Sequence, residues 1–189
     1  ERSAHRVFAS VKRFLTQQLR LVVNEDKSSV RPALGCEYLG FTFVGKRGTI
    51  KVSPKKLKAF KRRIKQLTGR SRGISMKRRL TDLNAYVRGW IGYFGLARQY
   101  DTFVELDGWI RRRIRMCYWK QWRRPKRRRE MLIRLGVPRR QAIRHAGSRK
   151  GYWHMAKTTA SGVALTNAWL AEHGLVSMKT LWAKLAPLR

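Results

Sequence analysis

The sequence predicts a mainly α-helical fold with a small β-hairpin, and two observations lead to that prediction. From Ser75 to Trp122, apolar residues recur at steps of three and four along two successive segments, which is the periodicity of amphipathic helices. Ahead of them, two short alternating segments flank a turn bounded by glycines, a pattern typical of a hairpin. We therefore expect two long helices to form the centre of the molecule.

The chain is extremely basic. Its 189 residues include 45 Lys and Arg against 10 Asp and Glu, which gives a formal net charge of +35. A folded chain with this charge repels itself unless a polyanion or many counterions are bound. A hydrophobic content of 43% is enough for a core and excludes a disordered basic tail, while the 11% of aromatic residues can stack on bases. Nucleic acid is therefore the expected partner.

A membrane surface is the competing partner for so basic a chain. The sequence has no run of about 20 apolar residues that could span a bilayer. Its basic residues are spread over every segment instead of being gathered beside one apolar stretch. We therefore expect no membrane partner.

The cysteines and the first residues indicate the compartment. Cys36 and Cys117 each stand alone in an apolar segment, without metal-ligand spacing to a histidine. We expect no structural zinc and a reducing cytoplasm. The segment from Glu1 to His5 lacks the features of a signal peptide and leads directly into helical periodicity, so we interpret it as a cut through a longer protein.

The N-terminal part is expected to form a helix, a short strand and the hairpin. Phe8, Val11, Leu15 and Leu19 mark an amphipathic helix over residues 4–20, and residues 21–24 are expected to form the strand. The hairpin is expected to pair residues 38–44 with residues 49–52 across a turn at 45–48.

Three longer helices should follow the hairpin and pack as a bundle. Ser53 is the expected N-cap of the first, with Pro54 at its first helical position, and Ser75 is the expected N-cap of the second. The second and third should meet at a turn over residues 96–101. The three apolar stripes, in chain order, are Leu57, Phe60, Ile64 and Leu67; Met76, Leu80, Leu83, Val87, Trp90 and Phe94; and Leu106, Ile110, Ile114 and Cys117.

Three glycines recur at steps of three near the end of the second long helix. Gly89, Gly92 and Gly95 are expected to mark a helix face that a backbone or another helix approaches closely. A basic hinge at residues 123–129 is the expected boundary of a second unit. Short helices should follow it and end at glycines or before Pro187, over residues 130–135, 138–146, 160–173 and 177–185.

Three acidic residues are the candidates for metal chemistry. Asp101, Glu105 and Asp107 cluster in sequence, and two-metal phosphoryl transfer needs carboxylates that hold metals about 4 Å apart. They stand beside a run of arginines, however, and acids in a first helical turn also suit the helix dipole. The favoured interpretation is therefore ion pairing, with no catalytic residue and no metal in this chain.

Several short motifs follow one another along the chain. Asn-Glu-Asp-Lys-Ser at 24–28 and Tyr-Leu-Gly-Phe at 38–41 resemble the end of the palm of group II intron reverse transcriptases, although Tyr38 replaces the usual phenylalanine. The segments at 88–94, 106–115 and 119–122 look like the thumb and maturase-specific region. Those at 164–167, 174–177 and 181–182 are similar to the ending of bacterial members without an endonuclease domain. The resemblance spans nearly the whole chain.

The resemblance implies a palm end at residues 1–53, a three-helix thumb at 54–122 and a basic helical C-terminal region at 123–189. It implies binding of group II intron RNA, a template–primer duplex and target DNA, to assist splicing, reverse transcription and intron mobility in a bacterial cytoplasm. The palm aspartates of a Tyr-x-Asp-Asp motif, which would bind Mg²⁺, do not occur in this sequence. We expect them upstream, with the fingers, and expect this chain alone to extend no primer. The alternatives are a stand-alone maturase without polymerase activity and an architectural DNA binder.

The same resemblance and the charge pattern together give the candidate site residues. Lys27 would lie near the active-site edge, with a solvated loop lysine as the alternative. Gly40 would lie near the primer end, because glycine lets a backbone approach the strand; an ordinary core strand is the alternative. Trp122 is the best base-stacking candidate among tryptophans that otherwise suit packing. The expected phosphate contacts are Lys55, Lys58, Lys61, Arg62, Lys65, Arg88, Arg111, Arg112, Arg115, Lys120, Arg123, Arg124, Arg127 and Arg128.

Overall fold

The computed structural model describes residues 2–185, so that Glu1 and Pro187 lie outside the described residues. Helix α1, Arg2–Arg13, continues into a π-helical turn at Phe14–Gln18, as the sequence predicts for residues 4–20. Its apolar stripe is not buried by the described residues. The strand expected at residues 21–24 is wrong, because that segment finds no pairing partner in the described chain.

A three-stranded antiparallel sheet follows in the order β1-β2-β3. Strands β2, Phe41–Val44, and β3, Thr49–Val52, form the predicted hairpin. The expected strand over 38–44 is interrupted, however, because Leu39 and Gly40 have φ values of 50° and 82°. These two residues form a tight turn between β2 and the short strand β1, Glu37–Tyr38, since two-residue hairpin loops favour positive φ.

Three long helices come next, with the predicted caps. They are α2, Pro54–Leu67, α3, Met76–Phe94, and α4, Tyr100–Gln121. The Ser53 hydroxyl accepts a hydrogen bond from the Lys56 N–H at 3.3 Å, and the Ser75 hydroxyl accepts one from the Arg78 N–H at 3.1 Å. These contacts satisfy amide groups that have no partner inside the helix.

Most residues of the three predicted stripes meet in one core, whereas Cys117 packs with Met116 and Ala156 in a smaller cluster. The ring centroids of Phe60 and Trp90 lie 4.3 Å apart, and the ring centroids of Trp90 and Phe103 lie 6.2 Å apart. The same core contains Leu83 and Ile114, which are fully buried. The expected close approach at Gly89 and Gly92 is wrong for the described residues, because a Cβ atom there would have no neighbour within 4 Å.

Six shorter helices form the C-terminal part of the described chain. They are α5, Pro125–Arg134, α6, Arg139–Ala146, α7, Tyr152–Met155, α8, Thr159–Ala164, α9, Asn167–Glu172, and α10, Met178–Lys184. The single helix expected over 160–173 is wrong, because the chain breaks at Leu165 and Thr166. The Thr166 hydroxyl instead caps α9 by accepting a hydrogen bond from the Trp169 N–H at 3.1 Å.

The C-terminal helices share the core of the long ones. Leu132, Met155, Leu170 and Met178 belong to the same cluster of buried side chains as the α2–α4 stripes. Helix α5 begins at Pro125, so that most of the expected basic hinge is helical. Among residues 2–185, no helix is both long enough and apolar enough to cross a bilayer.

Candidate nucleic-acid interface

Helix α2 presents a continuous row of cations to solvent. Its sequence contains no acidic residue, and its apolar side chains Phe60, Ile64 and Leu67 are buried against the core. The helical repeat therefore places the cations on the opposite side. We call this surface the α2 basic face; its residues, all exposed, are Lys55, Lys58, Lys61, Arg62 and Lys65.

The α2 basic face is available to a polyanion. Among the described residues, no carboxylate lies within ion-pair distance of any of its five cations. Four of them, with Pro54 and Leu57, line an open groove of about 590 Å³. Arg88 on α3 is likewise exposed. Cations without protein partners can neutralise phosphates and release their counterions.

The α4 arginines that the sequence predicts as phosphate contacts are half-buried and bind other parts of the protein. Arg112 lies over the Trp153 ring, 3.8 Å from its centroid, and donates a hydrogen bond to the Trp153 carbonyl at 3.0 Å. Arg115 donates to the Leu165 carbonyl at 2.8 Å and to Asn167 Oδ1 at 3.1 Å. Burial, followed by the charge of Arg111, lowers the pKa of Arg115. These half-buried side chains attach the C-terminal helices to α4, and their contact with phosphate stays a prediction.

Among the three acids that cluster in the sequence, Asp107 is the one whose side chain is buried in the structure. The residue is 2% exposed, and its carboxylate forms an ion pair with Arg111. It also accepts hydrogen bonds from the Ser177 hydroxyl and from the Met178 N–H, both at 2.9 Å. The ion-pair interpretation is thus confirmed for Asp107. Within residues 2–185, no group of three or more ligand side chains is placed to hold a metal ion.

Two other arginines, Arg113 on α4 and Arg79 on α3, bind the end of α2. Arg113 donates to the Thr68 hydroxyl, and burial lowers its pKa. Arg79 is 3% exposed and donates to the carbonyls of Leu67 at 3.2 Å and Gly69 at 2.6 Å. Sequence reasoning missed Arg79. Its place between Met76 and Leu83 on the apolar stripe is the signal that could have indicated a buried arginine.

Lys27 lies in a short 3-10 turn, Glu25–Lys27, and Gly40 lies in the tight turn between β1 and β2. Lys27 is exposed, and its N–H donates to Asn24 Oδ1 at 3.0 Å. Gly40 is buried, and a Cβ atom there would lie 2.9 Å from Lys56 carbons and 3.2 Å from a Phe94 ring carbon. Positive φ and close packing therefore explain the glycine within this fold. Approach of a primer strand stays a prediction.

The cations at the end of α4 and just after it are either exposed or half-buried. Arg123, Arg124 and Arg127 are exposed. Arg128 donates to the Trp122 carbonyl at 2.9 Å and lies 5.4 Å from the Trp119 ring, while the Lys120 ammonium lies 5.3 Å from the Tyr152 ring. Trp122 itself is 5% exposed and packs on Trp119. So buried a ring offers little free surface for stacking, contrary to our expectation.

Comparison with known families agrees with this architecture. Residues 57–135, from the first turn of α2 to the end of α5, match the family model described as "Group II intron, maturase-specific domain". The matched segment includes most of the α2 basic face and all of α3 and α4. A search of curated proteins gave no match. The match over residues 57–135 confirms the resemblance to group II intron maturases for the segment from α2 to α5.

Proposed function

We propose that this chain binds folded group II intron RNA and thereby assists splicing, with the α2 basic face as its main phosphate-binding surface. The observation that carries the proposal is the row of five exposed cations without acidic partners among residues 2–185. Four of the five lie inside the segment that matches the maturase-specific domain. The net charge of +35 supports the same partner.

Phosphate neutralisation explains how such a face would assist splicing. A compact RNA fold brings phosphates close together, and bound cations reduce their mutual repulsion. Phosphate contacts position a protein without reading bases. The α2 basic face would therefore stabilise folded RNA, while other surfaces would supply preference for particular sites.

The proposal extends to polymerase functions. Binding of a template–primer duplex and target DNA, reverse transcription and intron mobility follow from the resemblance of residues 24–28 and 38–41 to a polymerase palm. In that case the Mg²⁺ of polymerisation would be held by residues upstream of the thumb. A stand-alone maturase without polymerase activity is the alternative.

A splicing assay tests the central proposal. A group II intron RNA is incubated at limiting Mg²⁺ with the wild-type chain or with the triple variant Lys58→Gln, Lys61→Gln, Lys65→Gln. We expect the wild type to accelerate splicing and the variant to lose most of that effect. The control is Arg139→Gln, Arg140→Gln, Arg144→Gln, which makes the same charge change at exposed positions of α6. RNA binding without acceleration, or equal loss in both variants, would contradict the proposal.

A further inference from the structure

Three aromatic rings form a ladder at the junction of α4 and α9. The rings of Tyr118 and Trp169 meet edge to face with centroids 5.1 Å apart. The His173 imidazole stacks on Trp169 with centroids 3.6 Å apart and an interplanar angle of 24°. His173 Nδ1 lies 2.8 Å from the Trp169 carbonyl oxygen, a contact that holds the imidazole parallel to the indole. His173 is exposed, so that the ladder ends at solvent.

A groove of about 420 Å³ runs along this ladder. Its lining residues are Tyr118, Gln121, Trp122, Arg127, Met131, Trp169 and His173. The volume lies in the range of small-ligand sites. The groove therefore has aromatic and apolar walls, one amide and one guanidinium.

These groups match the parts of a single nucleotide. Aromatic faces stack on any base, and the Gln121 amide supplies both donors and an acceptor for a base edge. Arg127 can bind a phosphate, since its only described ion pair is a solvent-exposed contact of 3.8 Å with Glu130. A second groove, which shares Tyr118 and His173 with the first, is lined by Glu172 as well as Lys77, and that carboxylate would repel a phosphate. The charges favour the first groove.

We propose that the groove between α4, α5 and α9 binds one unpaired nucleotide of the RNA. The base stacks at the exposed His173 end of the ladder, which Trp169 and the buried Tyr118 support, and its phosphate lies at Arg127. The α2 basic face would supply affinity without regard to sequence, whereas this groove would distinguish an extruded base from a paired one. The inference rests on the proposed RNA binding.

The test compares three RNA hairpins of equal stem length. One is fully paired, one carries a single bulged adenosine, and one carries an abasic bulge. Affinities of the 189-residue chain are measured by fluorescence anisotropy at constant salt. We expect the adenosine bulge to bind roughly fivefold to tenfold more tightly than the other two hairpins, which is within the range of base–aromatic stacking. Equal affinity for the adenosine and abasic bulges would overturn the proposal.

Two variants make the assignment specific. His173→Ala removes an exposed ring and should lower the affinity for the adenosine bulge to that for the abasic bulge. His154→Ala, at another exposed histidine, should keep the preference. A preference retained in His173→Ala would overturn the groove. Absence of binding to all three hairpins would instead overturn the proposed RNA binding itself.

Discussion

The carboxylate of Asp107 accepts a hydrogen bond from the backbone N–H of Met178 at 2.9 Å, across 71 residues of the chain. Met178 is the first residue of α10 and is fully buried. The contact therefore joins the middle of α4 to the start of the last described helix. An acid that the sequence offers as a possible metal ligand thus organises the packing of the C-terminal part.

Asp107→Ala should destabilise the fold by about 3 kcal/mol, because it leaves Arg111 without its buried partner and the Met178 N–H without its acceptor. Urea unfolding followed by circular dichroism measures the change. Glu105→Ala is the control, since Glu105 is exposed on the same helix and should change the stability little. Similar unfolding midpoints for the two variants would show that the Asp107 contacts do not support the fold.

Substitutions of Trp90 and Arg88 on α3 should have different effects, the first on stability and the second on RNA binding. Trp90→Ala removes a ring that contacts Phe60 and Phe103 and should cost about 3 to 5 kcal/mol. Arg88 is exposed, so Arg88→Gln should leave the melting temperature almost unchanged and weaken RNA binding. If Trp90→Ala melts like the wild type and loses only RNA affinity, Trp90 stacks on bases and the bundle described above is incorrect.

Replacing Arg111, Arg112 and Arg115 together by Gln should destabilise the chain. These side chains hold Asp107, Trp153, Leu165 and Asn167, and hydrogen bonds from charged donors contribute more than neutral ones. We expect the melting temperature to fall by roughly 5 °C or more, as measured by differential scanning fluorimetry. An unchanged melting temperature with weaker RNA binding would contradict this prediction and would show that the three arginines form an open phosphate-binding face.

The two cysteines should differ in reactivity. Cys117 is 4% exposed, its Sγ lies 3.3 Å from the Thr68 carbonyl oxygen, and burial raises the pKa of its thiol despite nearby arginines. Because the thiolate is the reactive form, iodoacetamide at pH 7.5 should label the half-exposed Cys36 first. Labelling of Cys117 should require unfolding. Mass spectrometry of tryptic peptides gives the order, and equal labelling of both in the native chain would contradict the packing at Thr68.

Local patterns predicted the long helices well. The caps Ser53 and Ser75 and the stripes of α2, α3 and α4 depend on neighbours within a few residues, and the structure has them as expected. The turn at Leu39 and Gly40 and the break at Thr166 were missed, because alternation and helical periodicity continue through them. Each is decided by a backbone conformation or a cap within an otherwise regular pattern.

The candidate site was predictable only in part. The α2 basic face follows from the helical repeat, since an apolar stripe on one side leaves the cations on the other. The partners of Arg112 and Arg115 are carbonyls 41 and 50 residues away, and no local pattern reveals such contacts. Charge alone therefore could not distinguish cations that bind the protein from cations that are free for RNA.

The salt dependence of RNA binding tests the central claim most directly. Affinity for a folded intron RNA is measured from low to moderate salt for the wild type and for the triple variant Lys58→Gln, Lys61→Gln, Lys65→Gln. Each neutralised phosphate contributes about 0.7 to 0.9 to the slope of log K against log salt. The variant should therefore have a slope smaller by about 2 to 3, with unchanged helicity. A slope equal to that of the wild type, or a nearly flat wild-type dependence, would contradict the account.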